Sequence, residues 1–215
     1  YGGFAVRPIL YLDLNSELWS YAETVNSSDT QPWEEEPETI EKASQTITAK
    51  SVTKTYGSKP FKLNAKAKGK LTYKSSNTKV AAVSAAGTVT IKGTGKATIT
   101  ITAAATSNYK AATKKITITV NPKKAALTKV SSPKAGTLKA SWKKDTKASG
   151  YQVVIAQNSK FTKGKKTAAV TKNSTTSKTF SKLKKKKTYY VKVRAYKTAG
   201  KTKLYGAYSS VKKVK

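Results

Sequence analysis

Side-chain chemistry needs nucleophiles, acids, bases or metal ligands that converge, and this 215-residue chain holds few of them. It has no His, no Cys and no Met, so imidazole bases, thiolate nucleophiles, disulfides and the commonest zinc ligands are missing together. Carboxylates exist but crowd one end. Asp13, Glu17, Glu23, Asp29, Glu34, Glu35, Glu36, Glu38 and Glu41 precede residue 42, and Asp145 is the one acid of residues 42–215. A paired-carboxylate glycosidase site or a carboxylate cage for Ca²⁺ therefore has no material beyond residue 41. An intramolecular Lys–Asn cross-link needs a buried catalytic acid, and Asp145 reads as a turn residue. Ser and Thr are plentiful, but none has a His base and no Ser–Lys motif is visible. The acidic run Glu34–Glu36 reads as a self-repelling linker rather than a cation site. The expectation is a chain that is not an enzyme and carries neither cofactor nor metal.

What the chain has in excess is lysine. The net charge of +33 conceals a boundary: residues 1–41 are acidic, whereas residues 42–215 hold every base except Arg7. The run Lys184, Lys185, Lys186 and Lys187 is the candidate contact for a polyanion. Elsewhere Lys115, Lys139 and Lys192 take outward alternate positions of strands, which reads as a dispersed surface that discourages strand-edge pairing. Such a surface binds polyanions at low salt whatever its role, and loses them as salt rises. Tyr190, Tyr196 and Tyr205 fall opposite the core positions and read as exposed. They form either a carbohydrate platform or ordinary cross-strand packing, with packing preferred.

The elements that must carry these groups are strands. Thr88–Ile91, Thr98–Thr102 and Lys115–Val120 alternate β-branched apolar residues with Thr or Lys, the pattern of half-buried antiparallel strands. Gly57-Ser58, Ser75-Ser76-Asn77, Ala86-Gly87 and Gly93-Thr94-Gly95 punctuate them as turns. A second series follows Asn121-Pro122: Leu138–Trp142, Tyr151–Ala156, Thr167–Val170, Lys178–Phe180 and Tyr189–Tyr196, with a final pair through Tyr208 and Val211–Val214. Its inward residues are predicted to be Leu138, Ala140, Trp142, Tyr151, Val153, Ile155, Tyr189, Val191, Val193 and Ala195. The spacing predicts an all-β chain of two tandem antiparallel β-sandwiches, at 45–122 and 123–215. Residues 27–44 have the Pro-rich acidic composition of a linker. Residues 1–26, with the run Val6–Leu14, read as the closing segment of a truncated upstream domain. Tyr1 in place of an initiator reads as a processed product or a fragment, and no apolar run approaches the about 20 residues of a membrane helix.

Residues 72–120, with Tyr73, Asn77, Val80, Val83, Gly87, Val89, Gly93 and Gly95, resemble the group 2 bacterial immunoglobulin-like domains, over about 45–121. Tyr73 stands where that family usually has Trp. Residues 125–215 resemble a fibronectin type III domain, on Trp142, Gly150-Tyr151, and Leu183 followed by Tyr189. That resemblance implies a tyrosine corner, in which the Tyr189 phenol bonds back to the backbone. It also marks Lys184–Lys187 as a departure, since the family often has Pro-Gly there. The Lys-rich tandem is similar to modules of large surface proteins of Clostridia, and Val6-Arg7-Pro8-Ile9 is similar to the closing strand of a lectin-like domain on such proteins.

Together these imply non-catalytic spacer or presentation modules of a secreted, cell-wall-associated surface protein or adhesin of a Gram-positive bacterium. The alternative is a polyanion- or carbohydrate-binding module, accessory in one version to a secreted carbohydrate-active enzyme. Expected partners are anionic cell-wall polymers or host glycans, with no specific nucleic acid, no membrane insertion and a monomeric state.

Overall fold

The computed structural model describes residues 41–215, which fall in one compact unit. The expected upstream remnant at 1–26 and nearly all of the 27–44 linker lie outside the described residues. Among the described residues there is no helix. The first strand series is β1 (Val52–Thr55), β2 (Phe61–Lys62), β3 (Leu71–Ser75), β4 (Ala81–Val83), β5 (Thr88–Ile91), β6 (Gly95–Ala103) and β7 (Ala112–Asn121). It forms a sheet ordered β1-β7-β6-β3 facing a smaller one ordered β2-β5-β4. The β1–β7 pairing is parallel and the rest are antiparallel.

The period-two pattern explains the packing. Along β6, Ala97, Ile99, Ile101 and Ala103 are buried, while Lys96 is exposed and the intervening threonines are half-buried. Ile116, Ile118 and Val120 of β7 bury beside them, and Val89 closes the core from the opposing sheet. Each such β-branched residue contributes about 1.5–3 kcal/mol on full burial. The chain enters this sandwich through Gln45, whose amide uses every bonding position. Its Nε2 donates to the carbonyls of Ala104 (2.9 Å) and Lys110 (2.8 Å), and its Oε1 accepts from the N–H groups of Lys68 (3.1 Å) and Gly69 (3.0 Å).

The second series is β8 (Leu127–Ser131), β9 (Leu138–Trp142), β10 (Gly150–Ala156), β11 (Lys166–Val170), β12 (Ser177–Phe180), β13 (Tyr189–Ala199), β14 (Thr202–Tyr205) and β15 (Lys212–Val214). One sheet runs β11-β10-β13-β14 with β15 also on β13, and the other runs β12-β9-β8. All ten residues predicted to point inward are buried in one core, where the Trp142 and Tyr151 rings lie 5.2 Å apart and tilted by 56°.

Two expectations fail here. The final strand pair through Tyr208 and Val211 is not formed as read. Residues 202–205 pair with β13 first, and regular pairing resumes only at Lys212. Between them Ser209 is buried, and its hydroxyl accepts the Val193 N–H (3.1 Å), so a side chain replaces a ladder carbonyl there. Tyr196, expected on the exposed face, is 3% exposed. Gly150 opposes it across the β10–β13 ladder, and a Cβ there would come within 2.8 Å of the Tyr196 hydroxyl. The missing side chain is what lets the ring lie down on the sheet.

Candidate cationic binding surface

The tyrosine corner forms. Leu183 and Tyr189 are both buried, and the Tyr189 hydroxyl accepts the Lys184 N–H (3.1 Å) and the Gln157 amide N–H (3.1 Å). Between these anchors Lys184, Lys185, Lys186 and Lys187 are exposed on one turn, beside a hollow of about 340 Å³ that also touches Lys215. Lys186 takes φ 53°, the left-handed region that a glycine occupies without strain. In the first sandwich Tyr73, Val83 and Gly87 act together as packing residues. Val83 pairs with Val89 across β4 and β5, and Tyr73 lies over Gly87, whose φ is 72°.

The aromatic face of the second sandwich is occupied by its own cations. Val154, Ala156 and Phe161 form a small buried cluster on the outer side of β10, with Tyr190 and Tyr208 against it. The Lys192 ammonium, expected to be solvated, sits 4.0 Å from the Phe161 ring centre and 4.4 Å from that of Tyr208. The Arg194 guanidinium follows, 3.8 Å from Tyr205 and 4.5 Å from Tyr208, and Lys203 lies 4.7 Å from Tyr196. Gln152 locks the row: its Oε1 accepts from Arg194 Nε (2.7 Å) and from the Tyr208 hydroxyl (2.9 Å). The ring faces that would stack on a sugar are used internally, which favours the packing reading of these tyrosines. Arg194 is the one arginine beyond residue 7. It stands where a planar cation that stacks and bonds at once is required. Its isolation among lysines is the signal in the sequence from which this row could have been found.

Asp145 does not pair with a lysine ammonium. Its Oδ1 accepts the Lys147 N–H (2.8 Å), and its own N–H donates to the Tyr151 hydroxyl (2.7 Å), which in turn donates to the Asn173 carbonyl (3.2 Å). Burial holds the Tyr151 phenol above its ordinary pKa, and the Asp145 charge adds to the rise while the hydrogen bonds oppose it. Among the described residues no group of His, Cys, Asp and Glu is placed to hold a metal ion, and no helix is long and apolar enough to cross a membrane.

The turn that Asp145 stabilises belongs to the joint between the sandwiches. The Thr94 hydroxyl donates to the Lys147 carbonyl, and Thr94 is buried by that contact. The Tyr56 ring is approached by the ammonium groups of Lys123 (5.5 Å) and Lys147 (5.8 Å). Only Pro122 to Ala126 separate β7 from β8, with Pro122 buried, and β13 and β14 reach β6 and β7. A cleft of about 660 Å³ opens at this joint, lined by Lys79 and Lys96 of the first sandwich and Lys147 and Lys197 of the second. Sequence reading missed it, because its lysines are far apart in the chain and meet only when both sandwiches are in place.

Residues 56–105 match the family model described as intimin, immunoglobulin-like domain, and residues 120–211 match that of the fibronectin type III domain. The chain carries an intimin-type bacterial immunoglobulin-like domain followed by a fibronectin type III domain. The first match stops before β7 and starts after β1, so the strands that close that sheet lie outside it. A search of curated proteins found no match. Solved structures similar to the chain include the FN1–FN3 domains of chicken CNTN1, at 14% identity over 79% of this chain and 65% of that one, with a TM-score of 0.38. The chain thus spans less than two thirds of that structure's length. Others are a fibronectin type III domain derived from human KIAA0970 protein (19% identity, 43% of this chain and 72% of that one, TM-score 0.35) and a computer-based redesign of a β-sandwich protein (20%, 43% and 89%, TM-score 0.32). Immunoglobulin-like and fibronectin type III domains are typical of extracellular or surface proteins and are typically non-catalytic.

Proposed function

We propose that the two domains act as a non-catalytic spacer that presents a neighbouring segment of a secreted, cell-wall-associated protein of a Gram-positive bacterium. The joint is the observation that carries this reading. A five-residue connection with a buried proline, a cross-sandwich hydrogen bond from Thr94 to Lys147 and the Tyr56–Lys147 contact restrict movement of one sandwich against the other. Modules that only needed tethering would require none of these. Dispersed lysines on strand faces serve the same role by keeping neighbouring copies from pairing edge to edge. The Lys-rich resemblance supports the wall location, and labelling of the protein on intact, wall-bearing cells checks it.

The chain has no Cys, so spin labels can be placed at will. Lys74→Cys on β3 and Lys178→Cys on β12 put one label on an exposed position of each sandwich. A single narrow distance distribution is expected, broadening when Thr94→Ala removes the cross-sandwich bond. A broad distribution in the protein with its joint intact would refute the spacer reading.

A further inference from the structure

The cleft at the joint has a chemistry that the spacer role does not use. Lys79, Lys96, Lys147 and Lys197 reach it from four separate segments, two in each sandwich, and among the described residues no carboxylate lines it. Asp145, the one acid of residues 42–215, spends its Oδ1 on the Lys147 backbone rather than on an ammonium group. The ion pair found among the described residues, Glu41 with Lys110 at 4.0 Å, is not part of the cleft. Four like charges around a concave space repel one another, and low-dielectric walls focus their field into it. A bound anion relieves that repulsion, whereas on an open strand face water and salt already do so.

The residue type narrows the ligand. Lysine offers a compact point charge on a flexible stem, whereas planar carboxylates are gripped bidentately by arginine. Four separate lysines therefore suit several singly charged groups spaced along a chain. The volume of about 660 Å³ lies within the range of about 300–1,000 Å³ that encloses a ligand segment of small-molecule size. Gly200 is exposed at the cleft with no atom within 4 Å of where a side chain would start, which leaves its backbone open to approach.

We infer that this inter-sandwich cleft binds a short stretch of a linear anionic polymer whose sugar or polyol repeats carry phosphate or sulfate. The site rests on the same joint as the spacer reading, since each sandwich supplies two of its four lysines. The label distances test the joint and the titration tests the binding, so a stiff joint that binds nothing fails only the second. The cleft differs from the Lys184–Lys187 turn in being concave and shared between sandwiches.

The test compares two charge-matched variants of the whole chain. One replaces Lys79, Lys96 and Lys197 with Gln, leaving Lys147 to hold the joint. The other replaces Lys184, Lys185 and Lys186 with Gln. Fluorescent oligomers of polyglycerol phosphate and of a sulfated glycosaminoglycan are titrated at physiological salt, with neutral dextran as the blank. The cleft variant is expected to bind at least tenfold more weakly than the native chain, and the turn variant within about twofold. Amide shifts on titrating the native chain should concentrate at Gly93–Lys96 and Lys197–Gly200, which covers the case of a variant that folds poorly. The tighter oligomer identifies the charged group. Equal losses in both variants, or shifts spread over Lys184–Lys187, would overturn the proposal, as would no binding of either oligomer.

Discussion

Replacing Gly87 with Ala should injure the first sandwich through one ring, that of Tyr73. Two effects combine. Gly87 has φ 72°, where an L side chain costs about 1–2 kcal/mol, offset by about 0.4–1 kcal/mol because alanine restricts the unfolded chain. The new Cβ would also lie 2.8 Å from Tyr73 Cζ and 3.0 Å from its hydroxyl, against about 3.5–4.0 Å for a relaxed carbon contact. The ring must withdraw by about 1 Å, and overpacking of this kind costs about 1–3 kcal/mol. Tyr73 is half-buried and can swing part of the way toward solvent, so the sum expected is about 2–3 kcal/mol. Urea unfolding followed by circular dichroism measures it. The decisive comparison repeats the change in a Tyr73→Ala background, where only the backbone penalty of about 1 kcal/mol should remain. Hydrogen exchange should show lost protection in β3 and β6, with β10 and β13 unaffected. Equal costs in the two backgrounds would refute the steric argument, and a cost below about 0.5 kcal/mol would refute the conformational one as well.

Arg194→Lys keeps the charge but loses the bond to Gln152 and the flat stack on Tyr205 and Tyr208. It should destabilise by about 1–2 kcal/mol, and an unchanged thermal midpoint would count against the stacked row. Lys186→Gly relieves the left-handed φ of 53°. It should leave stability unchanged or raise it by up to about 1 kcal/mol once glycine's extra unfolded-state entropy is subtracted; a clear loss in urea would mean the Lys186 side chain has a packing role. Tyr151 keeps its proton to higher pH in the folded chain than in the unfolded one. Its contribution is therefore complete below the unfolded pKa of about 10 and is lost as pH rises through the folded value. Tyrosinate absorbance should show a late ionising step that disappears in Tyr151→Phe, and persistence of that step would assign it to another tyrosine.

Much of this architecture is written in local pattern. Alternation in Thr98–Thr102 and Lys115–Val120 placed β6 and β7, and all ten inward residues named for the second sandwich are buried, because a half-buried strand exposes its register in every second residue. The short pairs β2 and β4 carry too few residues for a period to be visible. The break between β14 and β15 escaped for another reason: a serine hydroxyl substituting for a ladder carbonyl leaves no trace in hydropathy. Tyr196 was misread because its burial depends on Gly150, which lies 46 residues away in the chain and opposite it in the sheet.

The same division governs function. Composition alone shows that residues 42–215 hold no His, no Cys and a single carboxylate. It also marked Lys184–Lys187 as a cationic turn, since those charges are adjacent along the chain. Only the tertiary structure decided that Lys192 and Arg194 are consumed by aromatic rings while Lys79, Lys96, Lys147 and Lys197 converge on one cleft. A charge count is a property of the chain, but convergence depends on which strand ends the two sandwiches bring together, and each sandwich supplies only half of that cleft.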